Sequence, residues 1–323
     1  GSSAASDVYK RQIVMRLADI CKDRKYLVTG ASGFIGRAVC QQLLDAGAVV
    51  HGVARREVSI ESDRWSHSAL NLADAAAVDD VFGTIRPEFV IHLASCVTGK
   101  REVNWVRETM LGNLVSAVHV MTAAQANGVE KCVMAGSLEE PDETESRPVP
   151  ASPYAASKWS ASAYSRMMHA LYGLNVSVAR IFMVYGPGQQ DTNKLVPYVC
   201  LSANRGQAPQ LMSGGRPVDW IFIDDVAEGL IRMTHAGPID GSYVDLGSGR
   251  LVTTGDIAER ICTIAESGVT PDFGAVPDRA MEQVRVADTK ATEAELGWTA
   301  ATGLDKGLEL TYRWYQDHPS GDA

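Results

Sequence analysis

No apolar run in these 323 residues is long enough to cross a bilayer, and no signal-peptide pattern stands at the start. Basic residues are outnumbered: 30 Lys and Arg face 39 Asp and Glu, a net charge of −9. With no basic run and no basic amphipathic stretch, neither nucleic acid nor an anionic membrane is an expected partner. Cysteine is scarce and scattered, at Cys21, Cys40, Cys96, Cys132, Cys200 and Cys262, without C-x-x-C or His-paired spacing. Most of these lie in apolar runs and read as reduced core residues, so no metal and no disulfide framework is expected, and the cytoplasm is the expected compartment. Internal repeats and low-complexity segments are also missing.

What is present is an ordinary globular composition, 46% hydrophobic and 21% charged, long enough for one large or two moderate domains. Residues 1–12 (GSSAASDVYKRQ) look like a tag-derived tail, and residues 1–24 are set aside as an N-terminal extension. The chain is organised around residues 25–37, KYLVTGASGFIGR. Gly30, Gly33 and Gly36 recur at three-residue intervals between an apolar, β-prone run and a segment with apolar residues at helical spacing. Glycines let a backbone turn sharply and approach a pyrophosphate, while the amides and positive end of the following helix face its charge. Strand, glycine turn and helix together are the context of a dinucleotide site.

A second strand, 48–54, ends on Arg55 and Arg56. An acidic residue there would bind a free ribose 2′-hydroxyl, whereas arginine accommodates a 2′-phosphate, so NADP(H) is favoured over NAD(H). The alternative is that both arginines are solvated surface charges. Asn71, in LNLAD, falls near the adenine if the fold is right. Further strands are expected at 89–95 (FVIHLAS), 131–137 (KCVMAGS) and 175–182, and helices at 75–84, 103–127 and 154–172. His92, inside an apolar run, reads as a core residue. This repeated alternation predicts an α/β fold, a Rossmann-like doubly wound parallel sheet whose ligands bind beyond the carboxyl ends of the strands. Residues 25–182 form that domain. Residues 183–323, with looser turns and shorter elements, form a smaller mixed α/β domain, parts of which fold back onto the main sheet.

Tyr154 and Lys158 stand four apart at the start of a helix and share a face. A Lys ammonium near a phenol stabilises the phenolate, so a lowered Tyr154 pKa and acid/base chemistry are expected. With this pair, TGASGFIGR, VIHLAS, SPYAASK, RIFMVYGPGQ, IDDVAEG and ADTKATEAELGW, the chain resembles the extended short-chain dehydrogenases/reductases of the NAD-dependent epimerase/dehydratase family. The resemblance spans roughly residues 25–315. It implies an oxidoreductase acting on a nucleotide-diphosphate sugar, with Tyr154 as the acid/base at C4. Lys158 would bind the nicotinamide ribose and Ser137 would hydrogen-bond the reacting oxygen. Cofactor contacts would come from Gly30, Ser32, Gly33, Phe34, Ile35, Gly36, Arg55, Arg56, Asn71, Leu72, Leu93, Ala94, Ser95, Asn113, Tyr154, Lys158 and Ile181. Asn193 and Leu195 would line the sugar-nucleotide site. Pairing of the helices at 103–127 and 154–172 would give a homodimer, although their apolar residues also suit a core.

Ser137-Leu138-Glu139-Glu140 replaces the Thr-Asp-Glu typical of nucleotide-sugar 4,6-dehydratases. Leucine cannot donate a proton, so dehydration is disfavoured, and Ser-x-Glu-Glu is similar to 4-ketoreductases of deoxysugar biosynthesis. Reduction of an NDP-4-keto-(6-deoxy)hexose by NADPH is therefore the leading reading, and 4-epimerisation with tightly held NAD is the runner-up. Glu139 is a candidate base, and Glu139 and Glu140 read equally as solvated loop charges. Val218 occupies the position where relatives often carry a diphosphate-binding arginine. Arg216 is close enough to substitute, and Arg279 matches a second such arginine more loosely.

Overall fold

The computed structural model describes residues 16–278 and 280–321, so the tail 1–12 and Arg279 lie outside the described residues. The elements are, in chain order, α1 (Leu17–Cys21), β1 (Lys25–Thr29), α2 (Phe34–Asp45), β2 (Val49–Ala54), β3 (Trp65–Ala69), α3 (Ala75–Ile85) and β4 (Phe89–His92). A long helix α4 (104–126) follows, in which a π-helical stretch, Met110–Val115, separates Asn104–Thr109 from Ser116–Ala126. Then come β5 (Lys131–Ser137), α5 (Pro153–Tyr172), β6 (Val176–Ile181), β7 (Met183–Tyr185), α6 (Leu195–Asn204), β8 (Gln210–Leu211) and β9 (Pro217–Phe222). The last are α7 (Ile223–Met233), β10 (Asp240–Leu246), β11 (Leu251–Thr253), α8 (Thr254–Ile264), β12 (Asp272–Phe273), α9 (Thr289–Leu296) and α10 (Leu304–Asp317).

Seven strands form one parallel sheet in the order β10-β6-β5-β4-β1-β2-β3. The doubly wound parallel sheet expected from the alternation is thus present. Its central strands are buried on both faces, which is why they read as continuous apolar runs rather than alternating ones. Tyr26 and Val28 of β1 pack to one side with Val39, Leu43, Leu230 and Ile231 of α2 and α7. Leu27 turns to the other side, where Val78 and Phe82 of α3, Val120 and Met121 of α4, and Met168 of α5 cover the sheet. Each such side chain, fully buried, contributes about 1.5–3 kcal/mol, so the central strands rest on helices contributed by distant parts of the chain. β10 arrives from beyond residue 183 and pairs with β6, with Leu246 opposite Ile181. A second sheet, β11-β9-β7, and helices α6, α8 and α10 enclose a third apolar cluster around Trp220, Phe222, Ile257, Leu308 and Tyr315.

All six cysteines are free, and only Cys96 is not buried. His92 is a core residue, as its apolar surroundings predict. Its Nδ1 lies 2.8 Å from Thr29 Oγ1, and burial drives its pKa down to about 3. Among the described residues no helix is long and apolar enough to cross a membrane.

Candidate active site

The glycine turn joins β1 to α2 at the carboxyl edge of the sheet. Gly30 has φ +72°, and a Cβ there would come within 2.7 Å of the Ala94 backbone nitrogen, so a side chain would be both strained and crowded. Gly36 faces the Gly30 carbonyl so closely that a methyl group would overlap it, which lets α2 start hard against the strand. Gly33 is the N-cap of α2 and no side chain caps it. The first amides of a 12-residue helix therefore face outward at Phe34, Ile35 and Gly36 with a positive dipole end. This cradle fits a dinucleotide pyrophosphate. Ser32 borders it, and its carbonyl accepts a hydrogen bond from Gln190 Nε2 at 3.1 Å.

Two further strand ends converge here. After β4, the amides of Leu93 and Ala94 donate to Thr29 Oγ1 at 3.1 and 3.2 Å, which fixes that strand end beside the turn. Ser95 Oγ and the Cys96 amide both donate to Asn113 Oδ1, at 2.9 and 2.6 Å, and Asn113 Nδ2 donates to Ser157 Oγ at 2.9 Å. Buried Asn113 lies in the π-helical stretch of α4 and so clamps the loop after β4 to α5. At the end of β2, Arg55 and Arg56 are exposed and neither has an ion-pair partner among the described residues. The charge of Arg55 acts on the Cys96 thiol, which places it on the side of the loop that carries Ser95. Asn71 is exposed and Leu72 buried, just ahead of α3, with the Leu72 carbonyl bonded to His119.

Helix α5 starts where its sequence dictates. Ser152 caps it by accepting from the Ala155 amide at 3.1 Å, and Pro153 occupies the first turn, where its missing N–H costs nothing. Tyr154 and Lys158 then lie one turn apart beside the carboxyl end of β5. The Tyr154 phenol faces Ser137, the last residue of β5, closely enough for that side chain to act on its pKa, and Ser137 pairs across the sheet with Ile181 of β6. Lys158 is buried, and its Nζ donates to the Ala135 carbonyl at 2.9 Å.

The electrostatics correct the expectation of a lowered tyrosine pKa. The Tyr154 phenol is pushed up to about 12, first by burial, opposed by the Ser137 side chain, and further by the charges of Glu140 and Glu139. Burial pulls Lys158 down to about 8, with Glu140 opposing. In the protein alone, loss of solvent outweighs any stabilisation of phenolate by Lys158, and Tyr154 is held as a protonated phenol.

The turn after Ser137 also departs from the sequence reading. Glu140 is no solvated loop charge: it is 1% exposed and anchored to Ser137, Ser162 and Tyr243. Leu138 is buried in the core. Glu139 is half-buried and paired with Arg216 Nη2 at 3.1 Å. Arg216, expected at a diphosphate, is also bound by Glu282, with Nε and Nη1 each 3.1 Å from its carboxylate. Asn193 and Leu195 sit at the start of α6, where Asn193 is tied to Asp191.

Sequence reasoning missed several residues that shape this edge. Thr29 organises the end of β4, and the polar residue closing an otherwise apolar strand was its only signal. Asp219, 1% exposed, accepts from the amides of Ser248, Gly249 and Ala287 and the Ser248 hydroxyl, and so ties two loops to β9. Arg285 Nη1 donates to the carbonyls of Leu138 and Glu140. No local pattern marked Arg285.

The chain is 28% identical to the dTDP-glucose 4,6-dehydratase of Neisseria meningitidis serogroup B, over 91% of this chain and 94% of that protein. It is 29% identical to the UDP-glucose 4-epimerase of Mycolicibacterium smegmatis, over 90% and 98%. In fold it is similar to the UDP-glucose 4-epimerase of Thermotoga maritima solved with UDP-glucose, at a TM-score of 0.83 and 23% identity, over 91% and 99% of the two chains. The Thermus thermophilus UDP-glucose 4-epimerase complex with NAD matches at a TM-score of 0.76 and 26% identity, over 92% and 99%. The model of the NAD dependent epimerase/dehydratase family matches residues 26–244, across the glycine turn and the Ser137–Tyr154–Lys158 cluster and into β10. With that span matched and the cofactor cradle in place, the chain belongs to the NAD dependent epimerase/dehydratase family, extended short-chain dehydrogenases/reductases that act on nucleotide sugars.

Proposed function

We propose that this protein reduces a nucleotide-diphosphate-linked 4-keto-(6-deoxy)hexose at C4, with NADPH as the reductant. The observation that carries the reading is the state of the Ser137–Glu140 turn. Eliminating water from a sugar needs a proton donor beside a base. Here Leu138 is core, Glu140 is enclosed by three donors, and Glu139 is engaged by Arg216 in an ion pair. What remains is a protonated phenol beside a serine hydroxyl, which suits proton delivery to a carbonyl oxygen.

In this reading the turn Gly30–Gly36, with Ser32, Gly33, Phe34 and Ile35, binds the pyrophosphate. Arg55 and Arg56 hold a 2′-phosphate, and Asn71 and Leu72 flank the adenine. Leu93, Ala94, Ser95, Asn113 and Ile181 line the path to the reacting centre. When bound, the nicotinamide supplies the hydride chemistry. Ser137 donates a hydrogen bond to the sugar carbonyl oxygen, Tyr154 gives it the proton, and Lys158 holds the ribose and places a positive charge below the phenol. Asn193, Leu195, Arg216 and Arg279 hold the sugar nucleotide. Residues 25–182 thus serve the cofactor and residues 183–323 the substrate. In the same reading two copies pair through the exposed apolar residues Val106, Met110 and Leu111 of α4 and Tyr164 and Leu171 of α5.

A second reading, 4-epimerisation with a tightly held NAD, draws support from the likeness to UDP-glucose 4-epimerases along nine-tenths of the chain. Denaturing freshly purified protein and counting the dinucleotide it releases separates the two. Near-stoichiometric NAD favours epimerisation and overturns the reading of the two arginines. Little cofactor, or NADP, together with NADPH oxidation on dTDP-4-keto-6-deoxyglucose or its UDP and GDP counterparts, supports the reductase.

A further inference from the structure

Glu140 is a buried charge that the reading above does not use. Its Oε1 accepts from the Ser137 amide at 2.7 Å, and its Oε2 accepts from the hydroxyls of Ser162 and Tyr243, each at 2.8 Å. The three donors come from β5, α5 and β10, so one carboxylate joins the end of a sheet strand, the helix that carries Tyr154 and Lys158, and a strand from the C-terminal half. A carboxylate this deep is costly unless good donors engage it, and here three do, one on Oε1 and two on Oε2. Room for it is built in, since a Cβ on Gly136 would lie 2.8 Å from Oε1.

We propose that Glu140 is a positioning residue of the Ser137–Tyr154–Lys158 cluster, fixing the Ser137 main chain beneath Tyr154 and supplying the negative charge that faces the Lys158 ammonium. The proposal rests on the reading that these three residues carry the reaction. Its geometric base is Ser137 itself, whose amide is held by Glu140 at 2.7 Å and whose Oγ accepts from the Glu139 amide at 3.2 Å, beside Tyr154. The charged and titratable groups around Glu140 are Lys158, Tyr154 and Arg166 on α5, and Tyr243 and Asp245 on β10. Arg180 on β6 stacks on the Tyr243 ring at 3.9 Å and reaches Asp245. Arg285 holds the Glu140 carbonyl, Glu139 and Asp142 flank it in sequence, and His92 on β4 lies in the field of Lys158. Burial, which removes hydration from the Lys158 ammonium, is opposed by Glu140.

The test is the pH dependence of cofactor binding, read by NADPH fluorescence between pH 6 and 10 with NADH as control. In the wild type, affinity falls as Lys158 loses its proton near pH 8. Glu140→Gln keeps the shape and removes the charge, and the midpoint is expected to move down by roughly one pH unit. Lys158→Met is expected to abolish the transition. A transition retained in Lys158→Met overturns the underlying reading of Lys158. A transition lost there but unmoved in Glu140→Gln overturns this proposal alone. Tyr243→Phe, which removes one donor and keeps the charge, tests positioning even if Glu140→Gln does not fold. It is expected to lower kcat on dTDP-4-keto-6-deoxyglucose severalfold at unchanged KM and unchanged midpoint, and an unchanged kcat overturns the positioning role.

Discussion

Arg216 and Glu139, 77 residues apart in the chain, meet at 3.1 Å, and Glu282 closes on the same guanidinium from the opposite half. The arginine proposed above for a nucleotide diphosphate is thus already held by two carboxylates, none of the three side chains being more than 26% exposed. Any diphosphate reaching Arg216 competes with them. Glu282→Gln, removing one competitor, should tighten binding of dTDP, UDP or GDP about fivefold, and Arg216→Ala should weaken it by a similar factor or more. Isothermal titration of the three nucleotides decides it; affinities unchanged in both variants would mean that Arg216 serves only to hold Glu139.

Tyr154→Phe removes a hydroxyl that faces Ser137 and leaves the ring packed. The expected result is a fall in kcat of about 10²–10⁴ with an unchanged thermal midpoint. Turnover at the wild-type rate would show that another group delivers the proton.

Asn113 bonds Ser95, Cys96 and Ser157 from inside α4. Asn113→Ala leaves the Cys96 amide and the buried Ser157 hydroxyl without that partner, and should lower stability by about 1–3 kcal/mol in urea titrations. The loop after β4 is released at the same time, so NADPH affinity should fall in the same variant. Stability held at the wild-type value would mean that water replaces the amide.

His92 gives the fold a dependence on pH. Its folded pKa, about 3, lies below the ordinary 6.5, because burial disfavours the imidazolium and the Lys158 charge adds to that. A depressed pKa means that the unfolded chain binds the proton more readily, so this contribution is full above pH 6.5 and is lost as pH falls toward 3. Between pH 7 and pH 5 the loss from His92 is about 2 kcal/mol. His92→Asn should flatten the pH dependence of unfolding by that amount relative to wild type. Equal slopes in both proteins would assign the acid sensitivity to other groups, His235 among them.

Much of this was legible in the chain because it is local. The glycine spacing of 30, 33 and 36, the Ser152-Pro153 start of α5 and the four-residue step from Tyr154 to Lys158 are all set by backbone geometry within one turn of helix. The apolar strands showed themselves by continuous hydrophobicity. Glu139 and Glu140 illustrate the limit: adjacent in sequence and alike in chemistry, they go to different partners, one to Arg216 at the site and one into the core. Only the packing of β10 and α5 against β5 decides which goes where.

Short-range spacing, and burial written as apolar runs, were enough to specify the strand–turn–helix order, the cofactor cradle and the family. The protonation of Tyr154, the engagement of Arg216 and the burial of Glu140 came only with the packed fold. The first depends on burial and on Glu139 and Glu140 from another element, the other two on partners as far as 77 and 103 positions away, which no local pattern encodes.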